Sequence, residues 1–273
     1  MNHVYIFKLV WLHVIIIVIA FTFASCKSVL SNNSVKMTIE ETSTLVLVQQ
    51  QPVPPIPSNG IYKDFQYNQN SMGYTITHYN GPGGVIEIPA EINGIPVTII
   101  GDNAFSRTSF GSSGDLVENS GKIISVTIPD SVISIGTYAF YGNSLTSVVI
   151  PDNVASIGDW AFYDNPITGN LALPNGLTSI GHNAFSGNRL TSIIIPDSVY
   201  FIGESAFDSY QLTSITIGAN IHIPSTAFMN IDRREGRITY FKESNFWNVY
   251  NSDGRLAGTY NRPNANSTSW TRQ

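Results

Sequence analysis

Leu145–Asn165, reading LTSVVIPDNVASIGDWAFYDN, decides the fold because near-copies of it stand on both sides. The pair Ala-Phe recurs at Ala104-Phe105, Ala139-Phe140, Ala161-Phe162, Ala184-Phe185, Ala206-Phe207 and Ala227-Phe228, and the last four steps are 22, 23, 22 and 21 residues. A period in this range means a solenoid, in which one small supersecondary unit is stacked on its neighbours.

Residue type assigns each position of the period a task. Ile-Pro at 88–89, 128–129, 150–151 and 195–196, with Leu173-Pro174 as the variant, closes a short strand, because proline cannot donate to a ladder. An apolar plug follows three residues later: Ile92, Val132, Val154, Leu177, Val199 and Ile221. Ile-Gly at 100–101, 135–136, 157–158, 180–181 and 202–203 pairs a buried aliphatic with a residue expected to use positive φ. Small Ala before large Phe predicts a spine of Phe105, Phe140, Phe162, Phe185, Phe207 and Phe228. Asn143, Asn165 and Asn188, each three residues after a Phe, are placed to satisfy buried backbone groups between coils.

The wording I(T/V)IPD(S/N)V..IG..AF..N resembles the BspA-like branch of leucine-rich repeats found on bacterial surface proteins, over roughly Gly73 to Asn230. The resemblance implies a β-rich leucine-rich-repeat solenoid. It would have short parallel strands, one per 22–23-residue coil, little regular helix, and β-hairpin caps at both ends. It also implies a non-enzymatic surface module that adheres to host extracellular proteins or to other cells. The alternative is a structural envelope spacer that holds no ligand tightly.

Around the repeats the chain divides into four parts. Residues 1–25 resemble a bacterial lipoprotein signal peptide: Lys8, then an apolar run from Leu9 to Phe23, then Ala24-Ser25 ahead of Cys26, the single cysteine of the chain. Cys26 is the expected lipidation site, although Phe23 stands where that motif has an aliphatic residue. Cleavage near Ser25 without lipid, giving a secreted protein, stays open, as does an uncleaved anchor. Residues 26–58, rich in Ser, Asn, Thr, Gln and Pro, read as a tether. Residues 59–240 form the repeat domain, begun by a hairpin over Phe65–Tyr79 that covers the first coil. Residues 241–273 form a C-terminal aromatic cap, with Asp253-Gly254 between two strand-like runs as a hairpin signal. A Gly- and Ser-rich insertion, GSSGDLVENSGK at 111–122, reads as a slack connector or as part of a binding surface.

Composition narrows function. The 273 residues are 42% hydrophobic and 12% charged with a net charge of −5, which describes an ordered, mildly acidic chain without the basic patch that nucleic-acid binding needs. One cysteine gives no disulfide framework. No nucleophile elbow or phosphate-cradling loop is present, and the histidines stand apart, so neither catalytic residues nor a cofactor are expected. Asp130, Asp152, Asn175 and Asp197 form a column after the Pro; it reads as turn chemistry and not as a metal site, because calcium needs six or more oxygens converging on one point.

The strand face remains. Period-two alternation turns Ser125, Ser147, Asn170, Ser192 and Ser214 outward in one column, and Thr127, Val149, Ala172, Ile194 and Thr216 in the next. Neither column holds a charge or a ring. This face is the candidate docking surface for an extracellular or surface protein on a chain expected to be monomeric and held to the membrane through lipid on Cys26. A plain β-propensity ladder is the competing explanation. The aromatics Phe246, Trp247, Tyr250, Tyr260 and Trp270 either seal the last coil or form a second platform.

Overall fold

The computed structural model describes residues 36–39, 45–48, 59–110, 116–118, 121–209, 211–219, 221–228, 230–232, 239–241, 246–264, 267 and 269–273. The chain splits into two compact units, Met1–Pro57 and Ser58–Gln273. In the first, Lys36–Ile39 pairs antiparallel with Leu45–Val48. That hairpin lies inside the segment expected to be a plain tether, and β-branched Thr38, Ile39, Val46 and Val48 account for it. The signal-like segment and Cys26 lie outside the described residues.

The second unit is the expected solenoid, with one difference: its coils have two strand positions. The first precedes Ile-Pro or its variant, as in Ile123–Thr127, Thr168–Ala172, Arg189–Ile195 and Ser214–Ile217. The second is two residues long and ends at the aliphatic of Ile-Gly: Ser134–Ile135, Ser156–Ile157, Ser179–Ile180 and Phe201–Ile202. Both series pair parallel between coils, for example Ile135 with Ile157 and Ile193 with Ile215. Between them the plug residues Val132, Val154, Leu177 and Val199 close a tight turn, whose amide donates to the proline carbonyl three residues back. The aspartates after Pro are exposed on these turns.

The Phe spine is continuous. Ring centroids from Phe105 through Phe140, Phe162, Phe185 and Phe207 to Phe228 are 5.0, 5.1, 5.1, 5.7 and 5.4 Å apart, with interplanar angles of 7–21°. Beside it each Phe amide donates to the Ala carbonyl of the following coil, as in Phe140 N to Ala161 O at 2.7 Å. The Asn ladder works as a bracket between coils. Asn165 Nδ2 donates to Phe140 O and to Phe162 O, at 2.9 and 3.2 Å, while its Oδ1 accepts from Leu145 N at 3.1 Å. Asn143 and Asn188 repeat the arrangement.

The Ile-Gly glycines do not use positive φ, which corrects the sequence expectation. That conformation belongs to the residue two further on: Asn103, Tyr138, Trp160, Asn183 and Ser205, at φ 52–57°. The glycine is needed because coils touch there: a Cβ on Gly158 would stand 2.6 Å from Thr137 N, and on Gly181 2.5 Å from Asp159 N.

At the N-terminal end, Asn59–Tyr62, Phe65–Asn70 and Gly73–Tyr79 form an antiparallel meander that joins the second strand series through Ile95–Ile100. Tyr74 and Ile76 are fully buried, and Phe65 and Tyr79 close the spine against Phe105. In the first repeat Glu91–Ile92 forms a hairpin with Ile95–Ile100, turning on Asn93-Gly94, both at positive φ. Thr108–Phe110, just ahead of the insertion, pairs antiparallel with Leu116–Glu118 inside it.

The C-terminal cap contains a hairpin, but a different one from that expected. Phe246–Ser252 is a helix, with Phe246 and Tyr250 on its buried side at i, i+4 spacing. Gly254 (φ 72°) ends it: Gly254 N donates to Asn251 O and Arg255 N to Tyr250 O, the two bonds of a Schellman cap. Asp-Gly here is helix-stop chemistry, and the antiparallel pair is Gly258–Asn261 with Thr271–Arg272. Gly258–Asn261 also adds antiparallel to Ser214–Ile217 and so extends the strand face.

Candidate functional site

The outward columns follow alternation on the strands, but Ser147 and Val149 lie on a coil that forms no strand. The face is divided there between Gly84–Glu87 with Ile123–Thr127 on one side and the sheet that begins at Thr168–Ala172 on the other. Inward Leu171, Ile193, Ile195, Ile215 and Ile217 are buried, while Ser147, Asn170, Ala172 and Thr127 are exposed; Val149 is 81% and Ile194 42% exposed. Ser125, Ser192, Ser214 and Thr216 share this face through register: Ser192 faces Asn170 and Ser214, and Ile194 faces Ala172 and Thr216. Side chains within a column also bond, Ser192 Oγ to Asn170 Oδ1 at 3.0 Å. Pairing extends the columns at both ends. Ser125 meets Val85 and Thr127 meets Glu87 upstream; Ser214 meets Asn261 and Thr216 meets Thr259 downstream. Glu87 therefore brings one carboxylate to an otherwise uncharged column, a position only pairing reveals.

Isolated exposed Val and Ile are ordinary, but here Val85, Val149 and Ile194 all fall at outward positions of the alternation, Val85 through its pairing with Ser125. At the downstream end, where the cap strand joins, a shallow groove of about 420 Å³ is lined by Ile194, Pro196, Asp197, Thr216, Gly218 and Gly258. The groove links the apolar column to the carboxylate after Pro.

The aromatics of the C-terminal segment are not on this surface. Phe246, Tyr250, Tyr260 and Trp270 are buried, and Phe246 meets Phe228 edge-on at 4.8 Å and 68°. They seal the last coil. Tyr250 Oη donates to Gly218 O and accepts from Ile221 N, and burial pushes its phenol pKa above the ordinary tyrosine value. Arg262 lies over the Trp270 ring at 5.1 Å and donates to Leu212 O and Ser267 O; burial lowers its pKa.

A second aromatic group escaped the sequence reading. Tyr138 stacks on Trp160 at 5.1 Å and Tyr141 on Tyr163 at 5.1 Å, each pair at 5°, on the turn that carries Ala-Phe. The signal was available in the 22-residue spacing of each pair. His182 is half-buried: its Nδ1 accepts from Glu204 N at 3.0 Å, and its ring meets Phe201 edge-on at 6.0 Å. Among the described residues no group of three or more His, Cys, Asp or Glu is arranged to hold a metal.

Parallel strands on a roughly 22-residue period, a stacked Phe spine and bridging asparagines define a leucine-rich-repeat solenoid. The chain belongs to the BspA-type branch of that class. The BspA type leucine rich repeat region matches residues 115–233 in six copies. The chain is 31% identical to the T. pallidum leucine rich repeat protein, over 57% of this chain and 70% of that one, with a TM-score of 0.48. It is 26% identical to a leucine rich cell surface protein from Faecalibacterium prausnitzii A2-165, over 66% of this chain and 59% of that one, TM-score 0.38. With a leucine-rich repeat protein from Bacteroides ovatus it shares 26% identity over 59% of this chain and 42% of that one, TM-score 0.42. No curated protein matches the chain.

Proposed function

We propose that this chain is a cell-surface protein-binding module that adheres to host extracellular proteins or to other cells, with the strand face as its docking surface and lipid on Cys26 as its anchor. The observation that carries the reading is the uncovered apolar column, in which Val149 and Ile194 stand exposed above buried Ile150, Ile193 and Ile195, Ile194 on a strand and Val149 on a coil that forms none there. Family membership and the printed description of the F. prausnitzii relative as a cell surface protein support the location. The module is non-enzymatic, with no cofactor, and works as a monomer.

The test is capture of extracellular-matrix and serum proteins by the full chain. Changing Thr127, Val149 and Ile194 together to Lys is expected to abolish capture without lowering the melting temperature, because all three side chains point to solvent. Capture that survives moves the site off the strand face. A chain that captures nothing, or that protease shaving of intact cells cannot reach, is a spacer and not an adhesin.

A further inference from the structure

The strand face carries a charge pattern that specifies its partner. From Ile123 to Phe228 the coils hold seven carboxylates (Asp130, Asp152, Asp159, Asp164, Asp197, Glu204 and Asp208) against one cation, Arg189, a formal balance of −6. The net charge of −5 for the whole chain hides this, because Arg and Lys gather in the C-terminal part. Three of the seven lie in one row along the edge of the strand face. Asp130, Asp152 and Asp197 each follow the exposed column residue of their own coil by three positions, and all three are exposed. The turn does not use them: it closes through its backbone, Val132 N to Pro129 O, Val154 N to Pro151 O and Val199 N to Pro196 O. At about 3.3 Å per residue the row lies at most about 10 Å from the apolar column.

Resting on the strand-face reading above, we propose that the docking partner is a basic amphipathic protein segment. Its apolar stripe lies on Val149 and Ile194, and its flanking lysines or arginines pair with Asp130, Asp152 and Asp197. A helix is about 10–12 Å across with its side chains, which matches the separation of column and row. The groove between Ile194, Pro196 and Asp197 joins the two at the downstream end and offers one anchor side chain both an apolar wall and a carboxylate. A column uncharged from Thr127 to Thr216 beside an acidic row admits such a segment in one orientation, and Glu87 at the upstream end adds to the same sign. It also rejects an acidic one, because like charges brought together without water between them are costly.

The experiment uses the full chain and three synthetic helical peptides with the same leucine stripe, flanked by lysine, by glutamate or by serine, followed by fluorescence polarisation at low and high salt. The lysine peptide is expected to bind best, to weaken as salt rises, and to lose about tenfold in affinity on the combined change Asp130→Asn, Asp152→Asn, Asp197→Asn, the scale of three exposed ion pairs. Asp164→Asn, on the opposite turn, is the control expected to change nothing. Equal binding of lysine and glutamate peptides, binding of none, or a triple variant as tight as wild type overturns the proposal. The two readings fail separately. If the lysine substitutions at Thr127, Val149 and Ile194 abolish protein capture while the asparagine substitutions leave it intact, the face docks protein and the charge rule is wrong. If neither set matters, the face itself is wrong.

Discussion

The coils and the caps of this solenoid hold themselves together by different means. In a coil one solution is repeated: a Phe ring lies flat on the next at 5.0–5.7 Å, a Gly lets backbones touch, and an Asn bridges three backbone groups. In the caps most aromatic pairs tilt or turn edgewise, Phe246 on Tyr250 at 18° being the exception, and tyrosine joins phenylalanine. Phe246 meets Phe228 at 68° and Tyr260 at 89°, and Tyr67 meets Tyr74 at 57°. A ring at the end of a stack has no partner beyond it, so its outer side has to be covered by whatever the cap supplies. Phenols serve there because their hydroxyls reach backbone carbonyls, as Tyr250 reaches Gly218 and Tyr260 reaches Leu256. Coil stability is shared with two neighbours and cap stability with one, so damage is expected to spread from a coil and to stay local in a cap.

Matched truncations give the largest contrast. Phe162→Ala opens a hole bounded by rings on both sides and is expected to cost about 4 kcal/mol. It should lower the whole unfolding transition in a denaturant melt. Phe246→Ala removes similar area, yet its loss should appear as fraying: hydrogen exchange rises in Phe246–Ser252 and the last coil while the coils around Phe140 stay protected. Identical protection patterns for the two variants would erase the distinction between coil and cap. Next in size is Asn165→Ala, which strands the Leu145 amide in a buried site and is expected to cost about 3 kcal/mol; in the C-terminal cap the bridging between backbone groups falls to Tyr250 and Arg262 instead. Asn165→Asp should also destabilise, because a carboxylate cannot donate to Phe140 O and Phe162 O.

Alkaline pH tests the chemistry of the caps directly. Burial, the largest cause in each case, raises the pKa of Tyr74 and Tyr79 in one cap and of Tyr250 and Tyr260 in the other. The native state therefore holds these phenolic protons more tightly than the unfolded chain does. Their contribution is whole below the ordinary tyrosine value of about 10 and is lost as pH climbs through the raised values. The caps are expected to open first, before the phenylalanine spine. Hydrogen exchange that quickens uniformly along the chain with pH would contradict this order.

Much of the coil was legible in the sequence, because a repeat shows the same physical demand several times over. The Phe spine, the Asn brackets and the plugs all stand where residue type placed them, while the outward columns are interrupted at Ser147 and Val149, where no strand forms. What misled was a residue type with two uses. Glycine after Ile serves close approach as well as positive φ, and only the Thr137 amide 2.6 Å from a would-be Cβ on Gly158 tells the two apart. Asp253-Gly254 suits a hairpin turn and a helix stop alike; the i, i+4 pair Phe246 and Tyr250 is the cue that favours the helix. The second strand, two residues long, is too short for any periodicity to show. Glu87 and the strand Gly258–Asn261 enter the candidate face through pairing with distant residues, which no local pattern records. The acidic row was visible as residues, but its place at the edge of an apolar column needed the fold.

The smallest expected effect concerns Trp160, where coil rules and surface chemistry meet. Its slot demands left-handed backbone (φ 52°), which costs an ordinary side chain about 1–2 kcal/mol, and Asn fills the same slot at 103 and 183. Against that cost stands the stack on Tyr138 at 5.1 Å, an arrangement that contributes about 0.5–1.5 kcal/mol. The two nearly cancel, so Trp160→Asn is expected to shift stability by less than about 1 kcal/mol in either direction. A loss well beyond that would make the Tyr138–Trp160 stack a structural support, a second spine outside the first. A change near zero leaves the rings without a stabilising reason to be there, because the coil accepts the cheaper residue on both sides of them.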